Sequence, residues 1–128
     1  MENKFSSKQV AEITGLSVHT LRYYEQIGLI GGIERDGNGY RLYSQADIVW
    51  FNALHYFRAM GMPVREIQKI MAMNKGGVST ITARREFIES YRETVIEQRK
   101  ELDLRLEKVD QKIDFFRRLE STQLELDR

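Results

Sequence analysis

The chain contains no cysteine. That excludes a thiolate metal site, an iron–sulfur cluster, a disulfide and a cysteine redox switch. No apolar run approaches the length of a membrane span, and the N-terminus lacks the apolar centre of a secretion signal. The compartment to expect is therefore the cytoplasm. An excess of charge is also lacking: 20 Lys/Arg against 19 Asp/Glu leave a net charge of +1. Residues 1–75 hold nine basic against seven acidic side chains, and residues 76–128 eleven against twelve. Bulk charge gives no support to a polyanionic partner, which has to be read from placed residues instead. No paired carboxylates, nucleophile beside a base, phosphate loop or metal-ligand spacing is present, so neither an enzyme, a cofactor nor a metal is expected.

What is present suffices for one compact domain and an extension: 128 residues, 41 % hydrophobic and 30 % charged. Ser6 and Gln9 have the spacing of a capping box, Val10, Ala11 and Ile13 give a small apolar face, and Gly15 suits a helix end. A tight turn leads to Ser17, a good N-cap for a second short helix ending at Gly28. In that helix Val18, Leu21 and Ile27 can face a core, which leaves His19, Thr20, Arg22 and one or both of Tyr23 and Tyr24 for the other face. A core helix has no use for such a face; a helix laid on a phosphate backbone, with base edges below it, does. Helix, Gly-containing turn, helix is the helix-turn-helix pattern, although the same arrangement occurs in ordinary helical bundles.

After Gly28 two short β-prone runs flank Asp36-Gly37-Asn38-Gly39, which reads as a β-hairpin, the wing of a winged helix-turn-helix. Alternation puts Arg41 and Tyr43 on one side, offered to phosphate, and Tyr40 and Leu42 on the other, assigned to packing. A solvated hairpin with a stray arginine is the alternative. Ser44 and Asp47 then start a helix that is apolar almost all round, through Trp50, Phe51, Leu54 and Phe57, and ends near Gly61. His55 has no second metal ligand near it. Pro63 opens a further helix with a Val64, Ile67, Ile70, Met71 stripe, and Asn74-Lys75-Gly76-Gly77 forms a hinge. The predicted domains are a head, residues 1–75, and a linker with a long helix, residues 76–128.

From about Thr80 to Leu126 there is neither Gly nor Pro, and Ile88, Val95, Leu102, Val109 and Phe116 recur every seven residues. Tyr91, Leu106, Ile113 and Leu119 broaden the seam, with Glu101–Arg105 and Asp114–Arg118 placed for ion pairs. A helix of roughly 60 Å cannot bury that seam on a small head, so a partner helix is implied, most economically that of a second copy. The dimerisation residues expected are Ile88, Tyr91, Val95, Leu102, Leu106, Val109, Ile113 and Phe116.

The run Thr20-Leu21-Arg22-Tyr23-Tyr24-Glu25, then Ile27-Gly28-Leu29, Gly39-Tyr40-Arg41-Leu42-Tyr43 and Asp47-Ile48, resembles the MerR family of bacterial transcriptional regulators. The likeness covers nearly the whole chain. It implies a mainly α fold: a winged helix-turn-helix head with a small β-hairpin wing, two further helices, and a long C-terminal dimerisation helix in an antiparallel coiled coil. It implies a homodimer on a pseudo-palindromic promoter operator, which bends and untwists the spacer DNA into a register that RNA polymerase uses. Carried over by position, His19, Thr20, Arg22 and Tyr23 become recognition-helix contacts. Tyr24 reaches the backbone, Arg41 and Tyr43 are wing contacts to phosphate, and Ser6 and Lys8 contribute from the first helix. The alternative is a coiled-coil dimer whose head binds a protein, which leaves Arg22, Tyr24, Arg41 and Tyr43 without a common purpose.

The resemblance gives no sensing device. Metal- and redox-sensing relatives use cysteines at the ends of the dimerisation helix, and aldehyde-responsive relatives carry one on the helix after the wing, where this chain reads Ala53-Leu54-His55-Tyr56-Phe57. Drug-sensing relatives append a ligand-binding domain, and none is expected here on the 128 residues read. Two expectations remain: a small organic effector in an apolar pocket between the head and the partner's coiled coil, near Trp50, Phe57 and Phe116, or control through expression level or DNA topology.

Overall fold

The computed structural model describes residues 3–126. Its elements run α1 (Ser7–Thr14), α2 (Val18–Gln26), β1 (Glu34–Arg35), β2 (Arg41–Leu42), α3 (Gln45–Ala59), α4 (Val64–Asn74), a 3-10 turn (Gly77–Thr80) and α5 (Ile81–Leu126). The chain divides into two compact units, Met1–Ile81 and Thr82–Arg128. Among the described residues no helix is long and apolar enough to cross a membrane.

Local chemistry sets the helix ends. At α1 the Gln9 amide donates to Ser6 Oγ (3.2 Å) and Gln9 Oε1 accepts from the Ser6 amide (2.8 Å). Each satisfies a backbone donor that the first turn leaves free. Ser44 and Asp47 repeat the device at α3. Gly15 ends α1 in the left-handed region, φ 75°, and its amide donates to the Ala11 carbonyl. A side chain at Gly15 would strain that conformation.

The head closes around Val10 of α1, Leu21 and Tyr24 of α2, Ile48, Phe51 and Leu54 of α3, and Ile67, Ile70 and Met71 of α4, all buried. α3 packs between α1 and α4. It is less enclosed than its sequence predicts. Ile48, Phe51 and Leu54 make one buried stripe, whereas Val49 and Tyr56 are exposed. A four-helix head covers α3 from one side only, so an apolar composition all round does not become burial all round. Trp50 is half-buried: its indole N–H donates to the Leu29 carbonyl (2.8 Å), and Lys75 Nζ lies 5.8 Å from the ring centroid. The anticipated hinge is folded as well. Thr80 Oγ1 donates to the Met73 carbonyl (2.8 Å), which ties the 3-10 turn to α4.

β1 and β2 pair antiparallel, Glu34 opposite Leu42 and Arg35 opposite Arg41. Tyr40 and Tyr43 are exchanged relative to the sequence reading, while Arg41 and Leu42 between them are both half-buried. Tyr43, expected to face phosphate, is 0 % exposed, and Tyr40, expected to pack, is 71 % exposed. The cause is a second pairing. Phe5 and Tyr43 exchange both backbone hydrogen bonds at 2.8 Å, so the end of β2 is held against the head and Tyr43 turns into it. There the Tyr43 ring meets the Phe51 ring edge-on at 5.7 Å, and its hydroxyl has no hydrogen-bond partner among the described residues.

α5 has 46 residues, about 70 Å at the usual helical rise. Ile88 and Tyr91 are half-buried. Val95, Val109, Ile113 and Phe116 are exposed, with Leu102 and Leu106 both at 58 %. The ion pairs of the described helix include Arg85–Glu89 and Lys100–Glu97 (3.7 Å), not the anticipated Glu101–Arg105 and Asp114–Arg118. Exposed pairs differ by little in free energy, so sequence spacing does not decide which of them form.

Candidate nucleic-acid interface

α2 divides its side chains cleanly. Leu21 and Tyr24 point into the core; His19, Arg22 and Tyr23 are exposed. Ser17 caps the helix by accepting from the Thr20 amide (3.1 Å), and its hydroxyl shares a 2.9 Å hydrogen bond with that of Thr20. Thr20 is thus fixed at the start of the helix, half-buried, next to the exposed His19. Tyr24 departs from the sequence reading. At 4 % exposure it anchors α2 in the head and does not present its ring to a backbone. Burial raises its phenol pKa, the nearby Arg58 guanidinium pulls it down, and Tyr23 adds a small upward push. Three places along the helix is nearly a full turn, so Leu21 and Tyr24 share the inner face.

The wing is held by its own turn. Asp36 Oδ1 accepts from the amides of Asn38 (2.9 Å) and Tyr40 (3.0 Å), and Gly39 takes φ 84° to close the loop. Arg35 donates to the Gly39 carbonyl (2.8 Å). Arg41, opposite Arg35, donates through Nε to Glu25 Oε2 of α2 at 2.8 Å. Two like charges paired across the strands are each drawn aside by a separate acceptor.

Three parts of the head converge on one concavity of about 270 Å³, lined by Ser6, Ser7, Lys8, Arg22, Gly39, Tyr40 and Arg41. Lys8 and the first turn of α1, Arg22 of α2 and Arg41 of the wing all face it. A helix N-terminus carries partial positive charge and free amides, and arginine offers a planar fork of donors. The chemistry suits an oxyanion such as a backbone phosphate. Of the residues selected from sequence, Ser6, Lys8, Arg22 and Arg41 meet here; His19, Thr20 and Tyr23 lie along α2 outside the concavity, and Tyr24 and Tyr43 belong to the core. Ser7, Gly39 and Tyr40 were missed. The Ser6–Gln9 capping box was the available signal for Ser7, since it marks where the first-turn amides lie.

Two of the residues expected near an effector, Trp50 and Phe57, both belong to the head. A second concavity of about 240 Å³ is lined by Trp50 with Gly28, Leu29, Ile30, Gly31, Ala46, Asp47 and Lys75, without Phe57. Phe116 belongs to the other unit. Among the described residues no group of three or more His, Cys, Asp or Glu is placed to hold a metal ion.

The chain was compared with known proteins. It is 34 % identical over 89 residues to the HTH-type transcriptional regulator AdhR of Bacillus subtilis, a match covering 70 % of this chain and 64 % of that protein. A MerR family transcriptional regulator from Listeria monocytogenes superposes with a TM-score of 0.72 at 30 % identity, covering 96 % of this chain and 94 % of that one. HiNmlR, described as a MerR family regulator lacking the sensor domain and crystallised bound to promoter DNA, gives 0.63 at 28 % identity, with 82 % and 80 % covered. The sequence model for the MerR HTH family regulatory proteins matches residues 5–74, the whole head from the Phe5–Tyr43 bridge to the end of α4. Capped helix pair, wing and match coincide, and the chain belongs to the MerR family of helix-turn-helix regulators.

Proposed function

We propose that this protein regulates transcription by seating two copies of its head on a pseudo-palindromic promoter operator. Membership of a family of DNA-binding transcriptional regulators carries the general activity, and that family is not enzymatic. The observation that carries the geometry is the convergence of Ser6, Lys8, Arg22 and Arg41 on one concavity beside the exposed face of α2. In this reading His19, Thr20, Arg22 and Tyr23 meet the major groove, while Lys8, Arg41 and the α1 amides hold phosphate. Residues 1–75 read DNA, and residues 76–128 connect and pair two copies through an antiparallel coiled coil in the cytoplasm. The exposed Leu102, Leu106, Val109 and Ile113 seam supports that pairing. Paired heads fix the half-site spacing, and bending and untwisting the spacer deliver the promoter to RNA polymerase. The promoter DNA bound to HiNmlR in its crystal supports the DNA reading over a protein-interaction module.

The test is footprinting of the gene's own upstream region with the full-length protein, followed by transcription with purified polymerase. Arg22→Ala should abolish the footprint, a loss of about 1–3 kcal/mol per half-site, with an unchanged thermal melt. A folded Arg22→Ala protein that still gives the parent footprint removes Arg22 from the interface. A thermal-shift screen of small organic molecules asks separately whether Trp50 serves an effector.

A further inference from the structure

Arg41 has two neighbours of opposite kind. It lines the concavity shared with Lys8 and Arg22, and it is bound to a carboxylate, Glu25, that lies outside that lining. The pair joins two elements sixteen residues apart in sequence, the wing and the last turn of α2. Both side chains are largely shielded, 21 % exposed for Arg41 and 24 % for Glu25. Only Nε of Arg41 is engaged among the described residues, at 2.8 Å from Glu25 Oε2. A guanidinium has five N–H donors fixed in one plane. When a carboxylate holds the Nε edge, the plane is set and the two terminal nitrogens stay available for a second oxyanion.

We infer that Glu25 is a positioning residue for DNA binding: it aims Arg41 at the phosphate cradle and locks the wing to the recognition helix. This rests on the DNA-binding reading above. It has a consequence that opposes simple charge counting. Glu25 is an acid beside a polyanion site, and on charge alone its removal should tighten binding to every sequence. A positioning role requires the reverse. Without Glu25 the guanidinium rotates freely, the phosphate contact is made only part of the time, and wing and α2 no longer seat together.

The experiment measures binding of the full-length protein to a mixed-sequence 30-base-pair duplex across a salt series, since phosphate contacts do not depend on sequence. Glu25→Ala should weaken binding roughly threefold to tenfold near 0.1 M salt and lower the salt slope by about one, as loss of a phosphate contact does. Glu25→Gln, which keeps an acceptor for Nε and disturbs folding least, should recover part of the loss. Glu25→Ala/Arg41→Ala should bind no worse than Arg41→Ala alone, because the two residues act as one contact. Binding by Glu25→Ala that equals or exceeds the parent's, with an equal or steeper slope, overturns the proposal. So does a double variant whose loss is the product of the two single losses. If Glu25→Ala fails to fold, Glu25→Gln decides: parent affinity with a steeper slope counts against Glu25. A parent protein without salt-dependent DNA binding overturns the DNA reading itself, and the role of Glu25 falls with it.

Discussion

The head and the long helix use the same apolar residue types in opposite ways. In the head Leu, Ile, Phe and Met close on one another, and the buried core runs from Val10 to Met71. In α5 Val95, Leu102, Leu106, Val109, Phe115 and Phe116 stay exposed, and none is part of that core. The head is therefore a folding unit whose stability comes from its own interior. The helix has a regular seam and nothing of its own to bury it against, and most of a helix's stability comes from packing its apolar face. Stability in the first unit should be independent of protein concentration, and order in the second should depend on it.

The most severe way to break this contrast is to charge the seam. Leu106→Asp/Ile113→Asp places two carboxylates per chain in the buried line of a coiled coil, at several kcal/mol each. Light scattering should then report half the parent mass, and circular dichroism a loss of helix, while the head's near-ultraviolet spectrum persists. A variant that keeps the parent mass at micromolar concentration would show that α5 pairs along another face. The complementary change lies in the head. Phe51→Ala empties a fully buried ring site and should cost about 3–5 kcal/mol in denaturant melts of the head, without altering the mass of the assembly.

A smaller effect sharpens the account of the core. The Tyr43 hydroxyl is buried without a partner among the described residues, so Tyr43→Phe removes a desolvation cost and should stabilise the head by about 1 kcal/mol with DNA affinity unchanged. A loss of affinity would return Tyr43 to the interface. The mildest effect is confined to alkaline solution. Burial raises the Tyr24 pKa above the ordinary 10.0, so the folded head holds that proton more tightly than the unfolded chain. Its contribution to stability is complete below pH 10 and fades as pH rises through the folded value. Tyr24→Phe should flatten the fall of the head's melting temperature above pH 10; a parallel fall in both proteins would place the alkaline sensitivity elsewhere.

The parts legible in the sequence were those fixed by neighbours a few residues away. Ser6 with Gln9, Ser17 with Thr20 and Ser44 with Asp47 cap helices through bonds spanning three positions, and each is formed. The heptads of α5 were legible for the same reason. What was misread depends on distant contacts. Alternation separates Tyr40 from Tyr43 but does not say which of them faces inward; the pairing of Tyr43 with Phe5, far away in the chain, decides that. Tyr24 needs the packed head to show that it shares the inner face with Leu21. Glu25 carries no role in the sequence alone, because the arginine it holds lies sixteen residues on in the wing.

The wing's strands are only two residues each, and two-stranded ribbons are marginal in water. Arg35 also faces Arg41 across them. Such a hairpin opens and closes on a faster clock than the helices beside it, so its amides exchange with solvent before those of the core do. A phosphate seated between Lys8 and Arg41 would tie the wing to α1 as Glu25 ties it to α2. The wing then becomes the part of the head whose motion reports occupancy, slowing when DNA is held and quickening when it leaves.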